Sequence, residues 1–163
     1  MIPTQARIQE LFEYLSDGRL RRRLAVNNNK AKVGDIAGCP NKAGYLRTTV
    51  DGTLHLNHRL IWLLFHGTWP KVVDHINGNK QDNRIENLRA CTQLENSQNQ
   101  QLRRSNTSGV KGVSWRPDKN RYRARITING KEACLGHFLT LEEAEQAVVK
   151  ARLSYHGEFA NHG

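Results

Sequence analysis

The first periodic segment follows Thr4: Ile8, Leu11, Phe12 and Leu15 recur at helical spacing, and Gly18 stands where such a helix would stop. This pattern predicts a capped amphipathic helix whose role is packing. A run at residues 19–26 and a glycine-punctuated stretch follow, and then two short alternating segments between residues 45 and 56 that flank Asp51-Gly52. That dipeptide predicts a two-residue hairpin and a small antiparallel sheet. The period turns helical again at residues 58–66, with Asn57 as candidate cap, Leu60, Ile61, Leu64 and Phe65 as the buried stripe, and Gly67 and Pro70 to end it.

Val72-Val73 then leads into Asp74-His75, with the turn dipeptide Asn77-Gly78 directly after, which sets Asp74 and His75 at the end of a strand. A polar loop at 79–83 and a short turn at 85–88 precede a helix opened by a Thr92/Glu95 capping box and carrying Asn96 and Asn99. Residues 102–108 are basic and turn-rich and read as a linker. Beyond it, strands are expected at 113–115, 121–128 and 133–138, the last two joined by Asn129-Gly130. A helix capped by Thr140 and Glu143 closes the chain, with Ala144, Ala147, Val148, Ala151 and Tyr155 on one face. The expected organisation is α+β, with one domain at 1–101, the linker at 102–108 and a second domain at 109–163.

Charge narrows the function. A formal net charge of +10 and a pI near 10.0 describe a field that draws polyanions, so nucleic acid is the expected partner, with a merely solvated basic surface as the plain alternative. Cys39, Cys91 and Cys134 form no CxxC pair, which argues against a zinc ribbon or a disulfide framework and suggests small, buried or half-buried side chains. No apolar leader stands at the N-terminus and no stretch reaches the length of a membrane span, so a cytoplasmic protein without a membrane partner is expected.

Hydrolysis of a phosphodiester needs a nucleophilic water, a base and positive charge at the phosphate and leaving oxygen. Asp74 and Asn96 are hard oxygen donors suited to Mg²⁺ or a similar ion, and His75, on the opposite face of the same strand, is placed to act as a base. Taken singly, each has a plain explanation, since lone histidines are usually surface or core groups and asparagines mostly form turns. In the 121–128 strand, Arg121, Arg123, Arg125 and Thr127 alternate with Tyr122, Ala124, Ile126 and Ile128, which predicts a cationic face opposite a helix-covered apolar one. Arginine suits bidentate grip of phosphate or guanine, and a solvated edge is the alternative.

His58-Arg59-Leu60-Ile61-Trp62, Asp74-His75-Ile76-Asn77-Gly78-Asn79-Lys80 and Asp82-Asn83-Arg84-Ile85-Glu86-Asn87-Leu88-Arg89 resemble the HNH endonucleases of phages and their introns, including nicking homing endonucleases, over about residues 45–100. The resemblance implies a ββα-metal core that holds one divalent cation, Mg²⁺ or Mn²⁺, on Asp74 and Asn96. It makes His75 the general base and Asn87 the residue that orients it through a hydrogen bond. Where many members carry a histidine as the last motif residue this chain has Asn96, in keeping with the nicking branch, and Asn99 is the alternative for that position. His58 matches a recurrent upstream histidine and is read as a packing or phosphate-contacting residue.

The segment at about 109–161 resembles the AP2 domain through Val110-Lys111-Gly112-Val113-Ser114-Trp115-Arg116-Pro117, Tyr122-Arg123-Ala124-Arg125-Ile126, Leu135-Gly136-His137-Phe138 and Glu142-Glu143-Ala144. It implies a three-stranded antiparallel sheet plus helix that enters the major groove, with Lys111, Trp115, Arg116, Arg121, Arg123 and Arg125 as contacts. Together the two resemblances imply a phage-encoded, site-preferring endonuclease of homing type. It would act on double-stranded DNA in the cytoplasm of the infected bacterium, as a monomer that nicks one strand and needs no protein partner. A catalytically silent DNA-binding regulator on the same scaffold is the first alternative. An RNA-binding protein is the second, against which stands the lack of an exposed aromatic platform.

Overall fold

The computed structural model describes residues 1–25, 31–99, 102 and 105–161, so residue 26 of the expected 19–26 run and residues 103 and 104 of the expected linker lie outside the described residues. The chain divides into two compact units, Met1–Cys91 and Thr92–Gly163. Each is an α+β arrangement of antiparallel strands and helices. Among the described residues no helix is long and apolar enough to cross a membrane.

The first unit opens with α1 (Gln5–Leu11), capped by the Thr4 hydroxyl, which accepts from the Arg7 amide at 3.2 Å. The helix stops at Leu11 rather than at Gly18, because Phe12–Tyr14 peels off as β1 to pair with β2 (Leu20–Arg22), which in turn pairs with β3 (Ile36–Ala37). Aromatic residues suit a paired strand, and this pairing overrides the helical spacing of Leu15. A second sheet joins β4 (Cys39–Pro40), β5 (Leu46–Val50) and β6 (Thr53–Leu56). Asp51 and Gly52 turn that hairpin with φ of 46° and 76°, as the dipeptide predicts.

Helix α2 (Asn57–His66) ends on Gly67 at φ 65°. Asn57 does not cap it. Its buried amide accepts from Thr48 Oγ1 at 2.8 Å and donates to the Ala37 carbonyl at 2.9 Å, tying the two sheets to the helix. The buried stripe is also rotated from the expected one: Leu63 is inside, and Phe65 is exposed with its ring edge-on to Tyr14. Ile8, Phe12, Leu20, Val50, Leu60, Ile61, Val73 and Leu88 belong to one core, each large side chain contributing about 1.5–3 kcal/mol on burial. Against that core lies the pair β7 (Val72–His75) and β8 (Leu88–Cys91), linked by the loop that carries the polar motif and by a 3-10 turn at Ile85–Asn87.

The second unit begins with α3 (Gln93–Gln98), whose Thr92/Glu95 capping box is formed as expected. A sheet in the order β11-β10-β9 follows, from β9 (Val113–Arg116), β10 (Arg121–Ile128) and β11 (Lys131–Phe138). Helix α4 (Leu141–His156) covers one face of it, packing Ala144 and Val148 on Val113 and Ala124. Arg152 is buried on this helix where Tyr155 was expected, and Tyr155 is exposed. Cys39 and Cys134 are exposed, unlike the expectation, and Cys91 is half-buried.

Candidate active site

The loop between β7 and β8 is held by asparagine side chains, which can donate and accept at once and so replace backbone pairing that an irregular loop lacks. Asn77 Oδ1 accepts from the Asn79 amide at 2.8 Å and from Asn87 Nδ2 at 3.0 Å. Asn87 Oδ1 accepts in return from the Asn77 amide at 3.0 Å, its Nδ2 also donates to the Asp82 carbonyl at 2.8 Å, and its carbonyl accepts from the Ile76 amide at 2.8 Å. Asp82 binds the Arg84 guanidinium at 2.7 Å and accepts from Asn77 Nδ2 at 2.8 Å. The Arg84 cation, with Asn77, pulls the Asp82 carboxyl down to about 2, so it stays ionised.

His75 ends β7 with 3% of its surface exposed, and its Nε2 lies 3.0 Å from Asn83 Oδ1. Asn83 is itself 1% exposed, and its Nδ2 points to the Gln81 carbonyl at 3.5 Å, which leaves the amide oxygen facing the imidazole. An amide oxygen only accepts, so the imidazole proton sits on Nε2 and the basic lone pair on Nδ1. The His58 ring stands edge-on to His75 with centroids 4.9 Å apart, and Tyr45 lies 5.9 Å away. Burial pushes the His75 imidazole below its ordinary pKa, opposed by the Asn83 bond and by Asp74, which keeps it neutral at neutral pH. Burial drives His58 further, to about 3, helped by His75 and Arg59.

Asn87 therefore does not make the hydrogen bond to His75 that the resemblance implies; Asn83 makes it. The geometry gives the reason. Asn87 reaches across the base of the loop to Asn77 and Asp82, and so fixes the backbone on which His75 is mounted. Asn83 went unread because it stood in a polar loop among other asparagines. Four asparagines at 77, 79, 83 and 87 exceed what one turn requires, and that excess is the signal.

Asp74 precedes His75, is 7% exposed, and faces Arg89, its register partner on β8. Arg89 Nε and Nη2 both donate to Asp74 Oδ2, at 3.1 and 3.0 Å. Arg89 was also missed, although Leu88-Arg89-Ala90-Cys91 alternates as a strand would. Among the described residues no group of three or more His, Cys, Asp or Glu could hold a metal. A cation at Asp74 would thus rest on one carboxylate, amide oxygens and water. That donor set suits Mg²⁺ or Mn²⁺ and not the closed four-ligand site of zinc. Asn96 is half-buried on α3, with no hydrogen bond to its side chain among the described residues. Asn99 is buried, and its carbonyl and side-chain oxygens accept from Asn161 Nδ2 at 2.9 and 3.1 Å. Asn99 thereby ties Asn161 within the second unit.

On the second unit, Arg121, Arg123 and Arg125 line up on β10 opposite the buried Ala124 and Ile126. Glu132 bridges two of them, bonded to Arg123 at 3.0 Å and to Arg125 at 2.9 Å, and Arg116 pairs with Asp118 at 2.9 Å. Trp115 is 40% exposed and stands edge-on to Tyr122 at 4.8 Å. Lys111 does not belong with this group. Its ammonium turns inward and donates to the Gln98 and Asn161 carbonyls at 2.9 and 3.0 Å, and burial, with Arg152 nearby, lowers its pKa to about 8. The lysine has been recruited to cap carbonyls inside the unit, which removes it as a groove contact.

A family model described as HNH endonuclease matches residues 55–98, the segment that carries this site. Protein 3.8 of Escherichia phage T7 is 35% identical over 105 residues, 63% of this chain and 86% of that protein. The uncharacterized HNH endonuclease L560 of Acanthamoeba polyphaga mimivirus is 33% identical over 121 residues, 73% of this chain and 62% of that protein, so this chain spans less than two thirds of it. Among solved structures there is a likeness to the HNH homing endonuclease I-HmuI, from work on its DNA binding and cleavage. It has a TM-score of 0.43 and 23% identity, and covers 89% of this chain and 84% of that one.

Proposed function

We propose that this chain, whose residues 55–98 match the HNH endonuclease family, is a metal-dependent, site-preferring DNA endonuclease of homing type that nicks one strand. The observation that carries the proposal is the imidazole of His75, buried, neutral and tied by Nε2 to Asn83. With that proton held, Nδ1 is the atom that takes a proton from the attacking water. Asn87 keeps the strand end and loop in register under it. Arg89 aims Asp74 through its two hydrogen bonds to Oδ2. Asp74 would bind a divalent cation, Mg²⁺ or Mn²⁺, with Asn96 as the second oxygen donor that the family resemblance implies. When bound, the cation supplies positive charge at the scissile phosphate and the departing 3′ oxygen.

The β9–β11 sheet, an AP2-like module in this reading, holds the duplex through Arg116, Arg121, Arg123 and Arg125, with Trp115 beside them. Asp118 holds Arg116 and Glu132 holds Arg123 and Arg125, and phosphate oxygens can replace those carboxylates. The domain division proposed is a nuclease part at 1–101, a linker at 102–108 and the DNA-holding part at 109–163, working as a monomer.

The test is conversion of supercoiled plasmid and phage genomic DNA, with and without Mg²⁺ or Mn²⁺, by wild type and His75→Ala. Metal-dependent nicked circles that the variant does not form are expected. Linear product from the outset points to paired sites. Tight duplex binding without cleavage under any metal replaces the enzyme with a regulator.

A further inference from the structure

The segment that holds His75 is touched from the side by the β1–β2 hairpin, for which neither the HNH motif nor the proposed chemistry has a use. Gly18 lies in the turn of that hairpin at φ +83°, where its amide donates to the Leu15 carbonyl at 2.9 Å and the Leu15 amide donates to the Arg19 carbonyl at 2.9 Å. A Cβ on residue 18 would stand 2.4 Å from the Arg84 nitrogen, 2.5 Å from the Asn83 carbonyl carbon and 3.0 Å from the Asn83 oxygen. These are backbone atoms and cannot rotate aside. One strand earlier, the Tyr14 hydroxyl accepts from the Ile85 amide at 3.0 Å. Asn83, Arg84 and Ile85 are thus gripped in succession, the first two by the bare turn and the third by the tyrosine.

We propose that the N-terminal hairpin is a positioning device for the general base, with Gly18 and Tyr14 setting the backbone at 83–85 so that Asn83 presents its amide oxygen to His75 Nε2. The proposal rests on the reading of His75 as the base. The distances give it force. To relieve a 2.4 Å contact to an ordinary one near 3.4 Å, the turn and the 83–84 backbone must part by about 1 Å. Where the 83–84 backbone takes up that shift, the 3.0 Å bond between Asn83 and His75 is stretched beyond hydrogen-bonding range. The imidazole is then free to exchange its proton between the two nitrogens, and the lone pair leaves Nδ1 for part of the time. Misplacement of about 1 Å lowers rates by on the order of 100-fold.

Gly52 supplies the control, because it turns another hairpin of the same unit at φ +76° with nothing within 4 Å of its added Cβ. Gly52→Ala suffers the same backbone strain and touches nothing in the site. The experiment combines ¹⁵N NMR of the imidazoles in the full chain, single-turnover nicking, duplex affinity and melting temperature for wild type, Gly18→Ala, Tyr14→Phe and Gly52→Ala. Expected is a wild-type His75 with its proton on Nε2 and a Gly18→Ala variant with mixed tautomers and nicking slowed about 10- to 100-fold, its DNA Kd within about twofold. Tyr14→Phe should move the same way by a few-fold. Gly52→Ala should melt lower while keeping the wild-type tautomer and rate.

A wild-type tautomer and rate in Gly18→Ala overturn the proposal, as does a loss in Gly52→Ala equal to that in Gly18→Ala. If Gly18→Ala does not fold, an unchanged tautomer and rate in Tyr14→Phe overturn it. If the wild type nicks nothing, the nuclease reading falls, and the NMR arm still decides whether the hairpin sets His75.

Discussion

The loop under His75 and the arginine face of β10 are both polar, and they are built in opposite ways. Around His75 four polar groups, Asp74, His75, Asn83 and Asn87, are buried and each has a partner: Asn83 and the imidazole answer each other, Asn87 meets Asn77 and the Asp82 carbonyl, and Asp74 meets Arg89. Removing one partner leaves another orphaned in the interior, at about 1–3 kcal/mol each. On the sheet the partners are exposed: Glu132 is 47% accessible and the Arg116–Asp118 pair 39% and 53%. Such pairs contribute about 0–1 kcal/mol and exchange readily. The proposed base must be held in one geometry, whereas the proposed groove-reading face needs charges that can let go of one anion and take another.

That contrast is broken most directly at His75. Substituting His75→Ala is expected to lower single-turnover nicking by about 10²- to 10⁴-fold while duplex affinity holds, since a positioned base contributes that much and touches no binding charge. Asn83→Ala should cost on the order of 10- to 100-fold in kcat with KM little changed, and also lower the unfolding free energy by about 1–3 kcal/mol because the His75 Nε2 proton loses its acceptor. Equal losses in kcat and affinity for either variant would mean that His75 grips DNA instead of activating water.

The reverse substitutions belong on the sheet. Arg121, Arg123 and Arg125 changed together to Ala should weaken duplex binding by about 10-fold or more at moderate salt and reduce the slope of log K against log salt by about one for each phosphate no longer neutralised. The rate from the bound complex should stay as it is. Lys111→Met, by contrast, should leave the salt slope unchanged, because that ammonium already serves the Gln98 and Asn161 carbonyls. A slope that drops with Lys111→Met would restore the lysine to the groove.

How far each region was legible in the sequence follows from the same physics. Local signals survived: the Asp51-Gly52 turn, the Thr92 and Thr140 capping boxes and the strict alternation of β10 depend on neighbours a few residues away. Asp74 and His75 were placed at a strand end for the same reason. What escaped depends on residues brought together from afar. The first helix yields at Phe12 because β2 captures the chain. Asn57 looked like a cap and is a buried tie between Thr48 and Ala37, positions that local pattern does not relate to it. Asn83 went unread because a polar residue in a polar loop is assumed to face water, whereas Lys111 was carried over by position from the AP2 resemblance, which says nothing of the carbonyls that its ammonium meets here.

Burial of the histidine pair also predicts a pH dependence of stability in the first unit. His58 titrates at about 3 when folded against an ordinary value of 6.5, so in acid the unfolded chain takes up its proton first. Its neutral form is tolerated fully above 6.5, and stability falls as pH drops from there towards 3, by up to about 1.4 kcal/mol per pH unit. Denaturant titrations of wild type and His58→Leu between pH 7 and 4.5 check this, with the flatter profile expected for the variant. Parallel profiles would assign the acid sensitivity to His75 or to carboxylates elsewhere.

The smallest effect is expected at Glu132, where it sharpens the comparison rather than breaking it. This one carboxylate holds Arg123 and Arg125 together, so it organises the face and competes for it at once. If organisation dominates, Glu132→Gln lets both guanidiniums swing and weakens binding. If competition dominates, the same change frees two cations and removes one negative charge from the proposed DNA face. Exposed ion pairs are weak, and both arginines emerge from a sheet already rigid on its helix side, so competition should win. Glu132→Gln is therefore expected to tighten duplex binding about two- to fivefold, chiefly at low salt, where attraction to phosphate is least screened. Fluorescence anisotropy across a salt series measures it. Weaker binding at every salt concentration would show that the carboxylate acts as a scaffold for the arginines, and that the outer face is as firmly preorganised as the loop under His75.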